Sequence, residues 1–181
     1  MMMVLLKDVH QCYKQMEVAD GSDVEVDQHF SRRIFARAVF SAIEGSCECF
    51  RQQAFVAESN KIPNEISLGR LSVLAGETYY VTDDGEIKAQ PLRIRFLDHV
   101  LLSLKSYAEA QGVDYRTKKG DQWHRIQQAV KVRHRITHPK TLAGLSITKA
   151  EIENIDFTLK WFLNEVGAVA RATGHQIPFL A

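Results

Sequence analysis

The sequence lacks the features that mark several common classes of protein. It has three cysteines, Cys12, Cys47 and Cys49, an odd number that predicts neither a disulfide framework nor a zinc knuckle. It has no apolar run long enough to cross a membrane, and the apolar segment 1–6 is too short for a signal peptide. The formal net charge is +1, which excludes the strongly basic balance of a general nucleic-acid binder. We therefore expect a cytoplasmic protein without a membrane segment, in which any RNA contact comes from local patches.

Motifs for several kinds of chemistry are also missing. There is no glycine-rich phosphate loop, nucleotide fingerprint or recognisable serine, cysteine or aspartate nucleophile motif, so we expect no cofactor. The 181 residues, of which 45% are hydrophobic, suffice for one domain with a real core. We predict a single domain over residues 1–181, with its core at about 26–173.

Apolar periodicity predicts an all-α protein. Helical patterns cover about 4–18, 27–59, 63–74, 91–111, 121–138 and 149–174, the last beginning at the capping box Thr148–Glu151 and the fifth at Asp121 as N-cap. Strand-type residues around Asp83-Asp84-Gly85 predict a β-hairpin at about 78–89. We expect a bundle of four to five helices with this hairpin inserted.

The long helix at 27–59 has two distinct faces. One is apolar and predicted to be buried; it includes Phe30, Ile34, Ala38 and Ala42. The other carries charges at helical spacing, among them Arg33, Arg37 and Glu44. A charged stripe of this kind is either a solvated face or a set of partners for charges elsewhere.

The segment 131–140, KVRHRITHPK, is the strongest candidate for a functional site. Arg133 lies within about 60° of the apolar residues Ile126 and Ala129 on its helix, where a guanidinium requires an anionic partner. Pro139 excludes His138 from the helix, which frees the imidazole to turn back towards Arg133.

Two interpretations of Arg133 follow from the residues alone. In the first, Arg133 pairs with a core carboxylate and His138 only ends the helix. In the second, both side chains meet a ligand phosphate, with Glu44 holding Arg133 and Glu151 or Asp156 as alternative partners. The additional basic residues predicted to contact RNA are Arg33, Arg37, Lys131, Arg135 and Lys140.

A metal site is the competing chemical interpretation of this segment. His134 and His138 are four residues apart, as in helical zinc-ligand pairs. No third ligand follows them, and the neighbouring arginines would repel a cation. We therefore predict no metal.

The segment Arg133-His134-Arg135-Ile136-Thr137-His138-Pro139 resembles the signature of the HEPN superfamily of small all-helical domains. That signature is an arginine, usually a polar residue next, and a histidine four to six residues later; here His134 stands where asparagine is more frequent. The segment 33–44, RIFARAVFSAIE, resembles the long early helix of these domains. The resemblance in architecture covers most of residues 26–173.

The resemblance implies a metal-independent endoribonuclease that leaves a 2′,3′-cyclic phosphate, often a toxin or an antiphage defence effector. Arg133 and His138 would be the catalytic pair, His134 would assist, and Glu44 would support Arg133. It also implies a homodimer that unites two copies of the motif, and an antitoxin or defence-system protein as a possible partner. The alternative is a non-catalytic helical module that binds RNA or nucleotides, or that dimerises within such a system.

Overall fold

The computed structural model describes residues 1–21, 24–62 and 65–174, without the side chain of Val26. It is mostly helical with one two-stranded antiparallel sheet, which confirms the predicted fold class at that level. The elements are α1 Met2–Asp20, α2 Glu25–Ser59, α3 Leu68–Ala75, β1 Glu77–Val81, β2 Ile87–Pro91, α4 Phe96–Ala110, α5 Trp123–Thr137, a 3₁₀ helix Leu142–Leu145 and α6 Lys149–Thr173.

Six α-helices lie in the described part of the chain, more than the four to five predicted. Each of the six corresponds to one of the six helical patterns in the sequence; α1 has 19 residues and α3 has 8. The predicted helix starts at 63 and 91 need correction: Pro63 and Asn64 lie outside the described residues, α3 begins at Leu68, and Pro91 belongs to β2. None of the described helices has the length and apolar character needed to span a bilayer.

The internal contacts of the described residues divide the chain into two compact units. The first contains Met1–Ser46 and Lys118–Ala168, and the second contains Cys47–Thr117 and 169–174. The single domain expected from the sequence stays a prediction.

The first unit has a core built from one face of each of its helices. The buried side chains are those of Val9, Met16, Phe35, Val39, Ile43, Ile126, Ala129, Val132, Ile136, Ile147, Ile152, Ile155, Phe162 and Val166. On α5 they recur every three or four residues, the spacing that places side chains on one face of a helix. Of the residues predicted to be buried on α2, Ile34 and Ala38 are only partly buried and Phe30 is 56% exposed.

The second unit contains the predicted hairpin. Strand β1 pairs antiparallel with β2 from Glu77↔Pro91 to Val81↔Ile87, and Gly85 in the connecting turn has a φ of 79°. That left-handed conformation suits glycine, which has no Cβ to clash. The Asp-Gly signal therefore identified the turn correctly.

A buried carboxylate organises the other side of the second unit. The Glu58 side chain accepts hydrogen bonds from Lys61 Nζ at 2.8 Å and from the Ser67 backbone N–H at 3.2 Å. The hydrogen bond from Lys61 is the main reason why the pKa of Glu58 is lowered despite its burial. Arg70 Nε lies 3.2 Å from the same carboxylate and joins it to α3. These contacts are internal and explain how an acidic group is accommodated at 3% exposure.

Candidate functional site

The motif segment lies at the C-terminal end of α5, where the helix is broken by Pro139. Thr137 is the last helical residue, and His138 has φ −127° and ψ 63°, outside the helical region. The His138 backbone N–H donates to the His134 carbonyl at 3.0 Å, which closes the last turn. Both imidazoles are exposed. The predicted helix break is therefore confirmed, and it leaves two histidines accessible at one helix end.

Arg133 contacts α2 through Glu44, as predicted. Its Nη2 donates to Glu44 Oε1, so the long helix supplies the anion that the guanidinium requires. The Arg133 side chain is 24% exposed and that of Glu44 is 39% exposed. The arginine thus lies at the edge of the apolar stripe of α5, and the pair stays open to solvent.

Arg135 points to a different neighbour, because residues two apart on a helix lie about 200° from each other. Its Nη1 and Nη2 donate to the two Glu151 carboxylate oxygens at 2.8 and 3.0 Å. Its Nη2 also donates to the Ser146 carbonyl at 2.8 Å. Lys131 lies on this side too, where it lines a cleft of about 320 Å³ with Arg135 and Glu151. The structure therefore does not bring Lys131 and Arg135 together with Arg133.

Glu151 is also the acidic member of the predicted capping box. The Thr148 N–H donates to Glu151 Oε2 at 2.9 Å, and the Glu151 N–H donates to Thr148 Oγ1 at 3.2 Å. Partial burial acts to raise the pKa of Glu151, but the hydrogen bonds from Arg135 and Thr148 outweigh it, so the pKa is lowered. The Arg135–Glu151 pair thus anchors the start of α6 to α5.

Arg33 and Arg37 of α2 use backbone carbonyls rather than carboxylates as partners. Arg33 Nη1 donates to the Leu145 carbonyl at 2.9 Å, and Arg37 Nη2 donates to the Ile136 carbonyl at 3.4 Å. Within the described residues neither guanidinium has an acidic side chain within salt-bridge distance. A neutral carbonyl does not cancel a positive charge, so these two arginines, together with the exposed Lys140, can attract an anion.

The loop after the motif is held by residues that the sequence analysis did not select. Arg32 donates from Nη1 to the Ile147 carbonyl at 3.1 Å and from Nε to Asp20 at 2.9 Å. The ring nitrogen Nδ1 of His29 lies 3.2 Å from the same carbonyl. The two contacts with Ile147 join residues more than 100 positions apart, so no local pattern in the sequence indicates them.

The histidine side of the motif segment lies on an open surface, whereas Lys131 and Arg135 line the cleft described above. His134 and His138 are exposed, as are Thr137, Pro139 and Lys140. A larger groove of about 810 Å³, lined mainly by α1 and α6, includes none of the predicted site residues. Across the described residues, no three histidine, cysteine, aspartate or glutamate side chains are grouped to hold a metal ion.

The arrangement offers a partly exposed guanidinium paired with Glu44, two accessible imidazoles, and two arginines, Arg33 and Arg37, that have no acidic partner among the described residues. Such a set can bind an anion and exchange protons with it, and its openness suits a large ligand. Comparisons of this chain with protein-family models, with curated proteins and with solved structures find no match.

Proposed function

We propose that the protein is a metal-independent endoribonuclease of the HEPN type, with Arg133 and His138 as its catalytic residues. The observation that carries the proposal is the end of α5, where Glu44 orients Arg133 while His134 and His138 remain exposed. The HEPN-type helical bundle and the single domain belong to the same proposal.

The proposed reaction needs only groups that this chain contains. The ribose 2′-oxygen attacks the adjacent phosphorus, a base takes the 2′-hydroxyl proton, and the bond from phosphorus to the 5′-oxygen breaks. The leaving 5′-oxygen takes a proton from an acid, so the products are a 2′,3′-cyclic phosphate and a 5′-hydroxyl. Histidine titrates near neutral pH and serves either proton transfer.

The arginine has a separate task in this reaction. Negative charge grows on the phosphoryl oxygens in the transition state, and a planar guanidinium matches two of those oxygens. Glu44 keeps the Arg133 fork in one orientation, which lowers the cost of ordering it when RNA binds.

A homodimer would complete the acid–base set. One His138 performs one of the two proton transfers, and the second comes from His134 or from the motif of a second copy. A dimer would also cover the open surface of the motif and exclude water from it. A toxin or defence effector in the cytoplasm, controlled by an antitoxin or another protein of a defence system, is the biological role that we propose.

The test compares RNA cleavage by the wild type and by His138→Ala in the presence of EDTA. We expect the wild type to cleave without metal and to leave 2′,3′-cyclic phosphate ends, and the variant to be slower by about 100-fold or more. His124→Ala is the matched control, because His124 is an exposed histidine at the opposite end of α5. Equal rates for wild type and His138→Ala, or dependence on added metal, would refute the mechanism.

The second candidate is a non-catalytic RNA-binding or dimerisation module. The observation that favours it is that Arg133 and Arg135 both have carboxylate partners, as ordinary structural arginines do. Binding of RNA by a wild type that produces no cleavage at any protein concentration would select this function.

A further inference from the structure

Phe30 is an aromatic side chain on the surface of α2, where the apolar pattern predicts burial. Its 56% exposure contrasts with the 1% exposure of Phe35, which lies only five residues further along the same helix. An exposed aromatic ring is a stacking surface for a nucleobase, since every base has a flat π-face.

Phe30 lies in line with Arg33 and Arg37, for which the described residues provide no acidic partner. At about 100° per residue, Arg33 and Arg37 both fall within about 60° of Phe30 around the helix axis. At about 1.5 Å per residue, the three residues span roughly 10 Å along α2. The guanidinium carbon of Arg33 lies 6.0 Å from the Phe30 ring centroid, so the first cation is next to the ring.

Phe30, Arg33 and Arg37 form a row along α2, and the charges at the two ends of this row differ. At the N-terminal end of α2, Glu25 and Asp27 are exposed carboxylates that repel phosphate. At the other end, Arg37 contacts the carbonyl of Ile136, two residues before His138. A strand that lies on the row therefore runs from Phe30 towards the end of α5.

We propose that the Phe30–Arg33–Arg37 row binds single-stranded RNA and guides it into the Arg133–His138 motif. One base stacks on Phe30, and the phosphates that flank it lie against Arg33 and Arg37. This substrate preference rests on the proposed ribonuclease function, whereas the binding surface itself does not. Duplex RNA is excluded as the ligand of Phe30, because its bases are already stacked on each other.

Binding is tested with a single-stranded oligonucleotide in which every ribose carries a 2′-O-methyl group. That group removes the nucleophile, so affinity is measured by fluorescence anisotropy without cleavage. We expect Phe30→Ala to weaken binding by about 10-fold or more and Phe30→Trp to retain it, because stacking requires an aromatic ring. Val18→Ala is the control, since Val18 is an exposed apolar residue on another helix and is 79% exposed. Unfolding curves of each variant show whether it is folded.

A second variant tests the charges in the row. We expect Arg37→Ala to weaken binding and to make the slope of log affinity against log salt less steep by about 0.7, the value for one phosphate contact on a single strand. Phe30→Ala removes no charge and should leave that slope unchanged. A self-complementary duplex of the same composition should bind all three proteins, wild type, Phe30→Ala and Val18→Ala, with equal affinity.

The outcomes separate this inference from the proposed function. If the wild type does not cleave RNA but Phe30→Ala still loses affinity for the blocked strand, the binding row stands and the ribonuclease proposal fails. If the wild type cleaves and Phe30→Ala binds the blocked strand as tightly as wild type, the row is overturned and the ribonuclease proposal stands.

Discussion

The two sides of α5 show how one helix uses the same residue type in two ways. Arg135 binds both oxygens of Glu151, a carboxylate that also caps α6 through Thr148. Arg133 binds Glu44, which accepts hydrogen bonds from no other described side chain.

The two pairs differ in which member is the more exposed: Arg133 is 24% and Glu44 39% exposed, whereas Arg135 is 38% and Glu151 24% exposed. Glu151 accepts hydrogen bonds from Arg135 and from Thr148, whereas Glu44 accepts one from Arg133. The first arrangement is typical of a structural joint, and our proposal assigns the second to a residue that binds a ligand.

The largest loss of stability is expected for the structural joint. Glu151→Ala removes the carboxylate that accepts from the Thr148 N–H and that pairs with Arg135, so we expect the free energy of unfolding to fall by about 1–2 kcal/mol. Urea denaturation measures it. Glu153→Ala is the control, because Glu153 is an exposed acid on the same turn of α6, and it should change stability by less than about 0.5 kcal/mol. If Glu151→Ala and Glu153→Ala lost equal stability, the Arg135–Glu151 pair would no longer differ from the Arg133–Glu44 pair as a structural joint.

The contribution of the Glu151 charge should also depend on pH. Because its pKa is lowered in the folded protein, ionised Glu151 stabilises the fold above the ordinary carboxyl range, and that stability is lost as the pH falls through the folded pKa. Glu151→Gln should therefore be less stable than wild type at pH 7, and the difference in the free energy of unfolding should become smaller below about pH 4. Thermal unfolding from pH 7 to pH 3 tests this, and a difference that is constant with pH would contradict it.

The smallest stability effect is expected for the open pair. Glu44→Gln should change the free energy of unfolding by less than about 1 kcal/mol, as is usual for a solvent-exposed ion pair. RNA cleavage should nevertheless fall by about 10-fold, since Arg133 loses the charge that orients it. Parallel measurement of unfolding and of initial cleavage rate gives both values. If Glu44→Gln lost much stability but cleaved RNA normally, the Arg133–Glu44 pair would have a structural role instead of the proposed catalytic one.

The sequence allowed prediction of those features that local chemistry determines. The hairpin at Asp83-Asp84-Gly85, the capping box at Thr148 and the helix break before Pro139 were all predicted and are all present. Each depends on residues within a few positions of one another. The N-cap of α5 was predicted wrongly as Asp121, because the helix begins at Trp123 with Gln122 before it. Trp123 packs edge-on against a tryptophan of α6, and this packing outweighs the weak preference for Asp121 as the N-cap.

Features that depend on distant partners were predicted only in part. The Glu44–Arg133 pair was found because a guanidinium on an apolar stripe requires an anion and the long helix had one charged face. The exposure of Phe30 was missed, since periodicity identifies a helix face but not whether another element covers it. The carbonyl partners of Arg33 and Arg37 were missed for the same reason, because they lie about 100 residues away in the chain.

The most direct test of this account is a paired measurement on Arg133→Lys and Arg135→Lys, with cleavage rate and unfolding free energy determined for each. Lysine keeps the charge but not the planar fork. The account predicts that Arg133→Lys loses about 100-fold in cleavage with little change in stability, while Arg135→Lys loses about 1 kcal/mol in stability and cleaves normally per folded molecule. Equal loss of cleavage in both variants, or normal cleavage by Arg133→Lys, would contradict it.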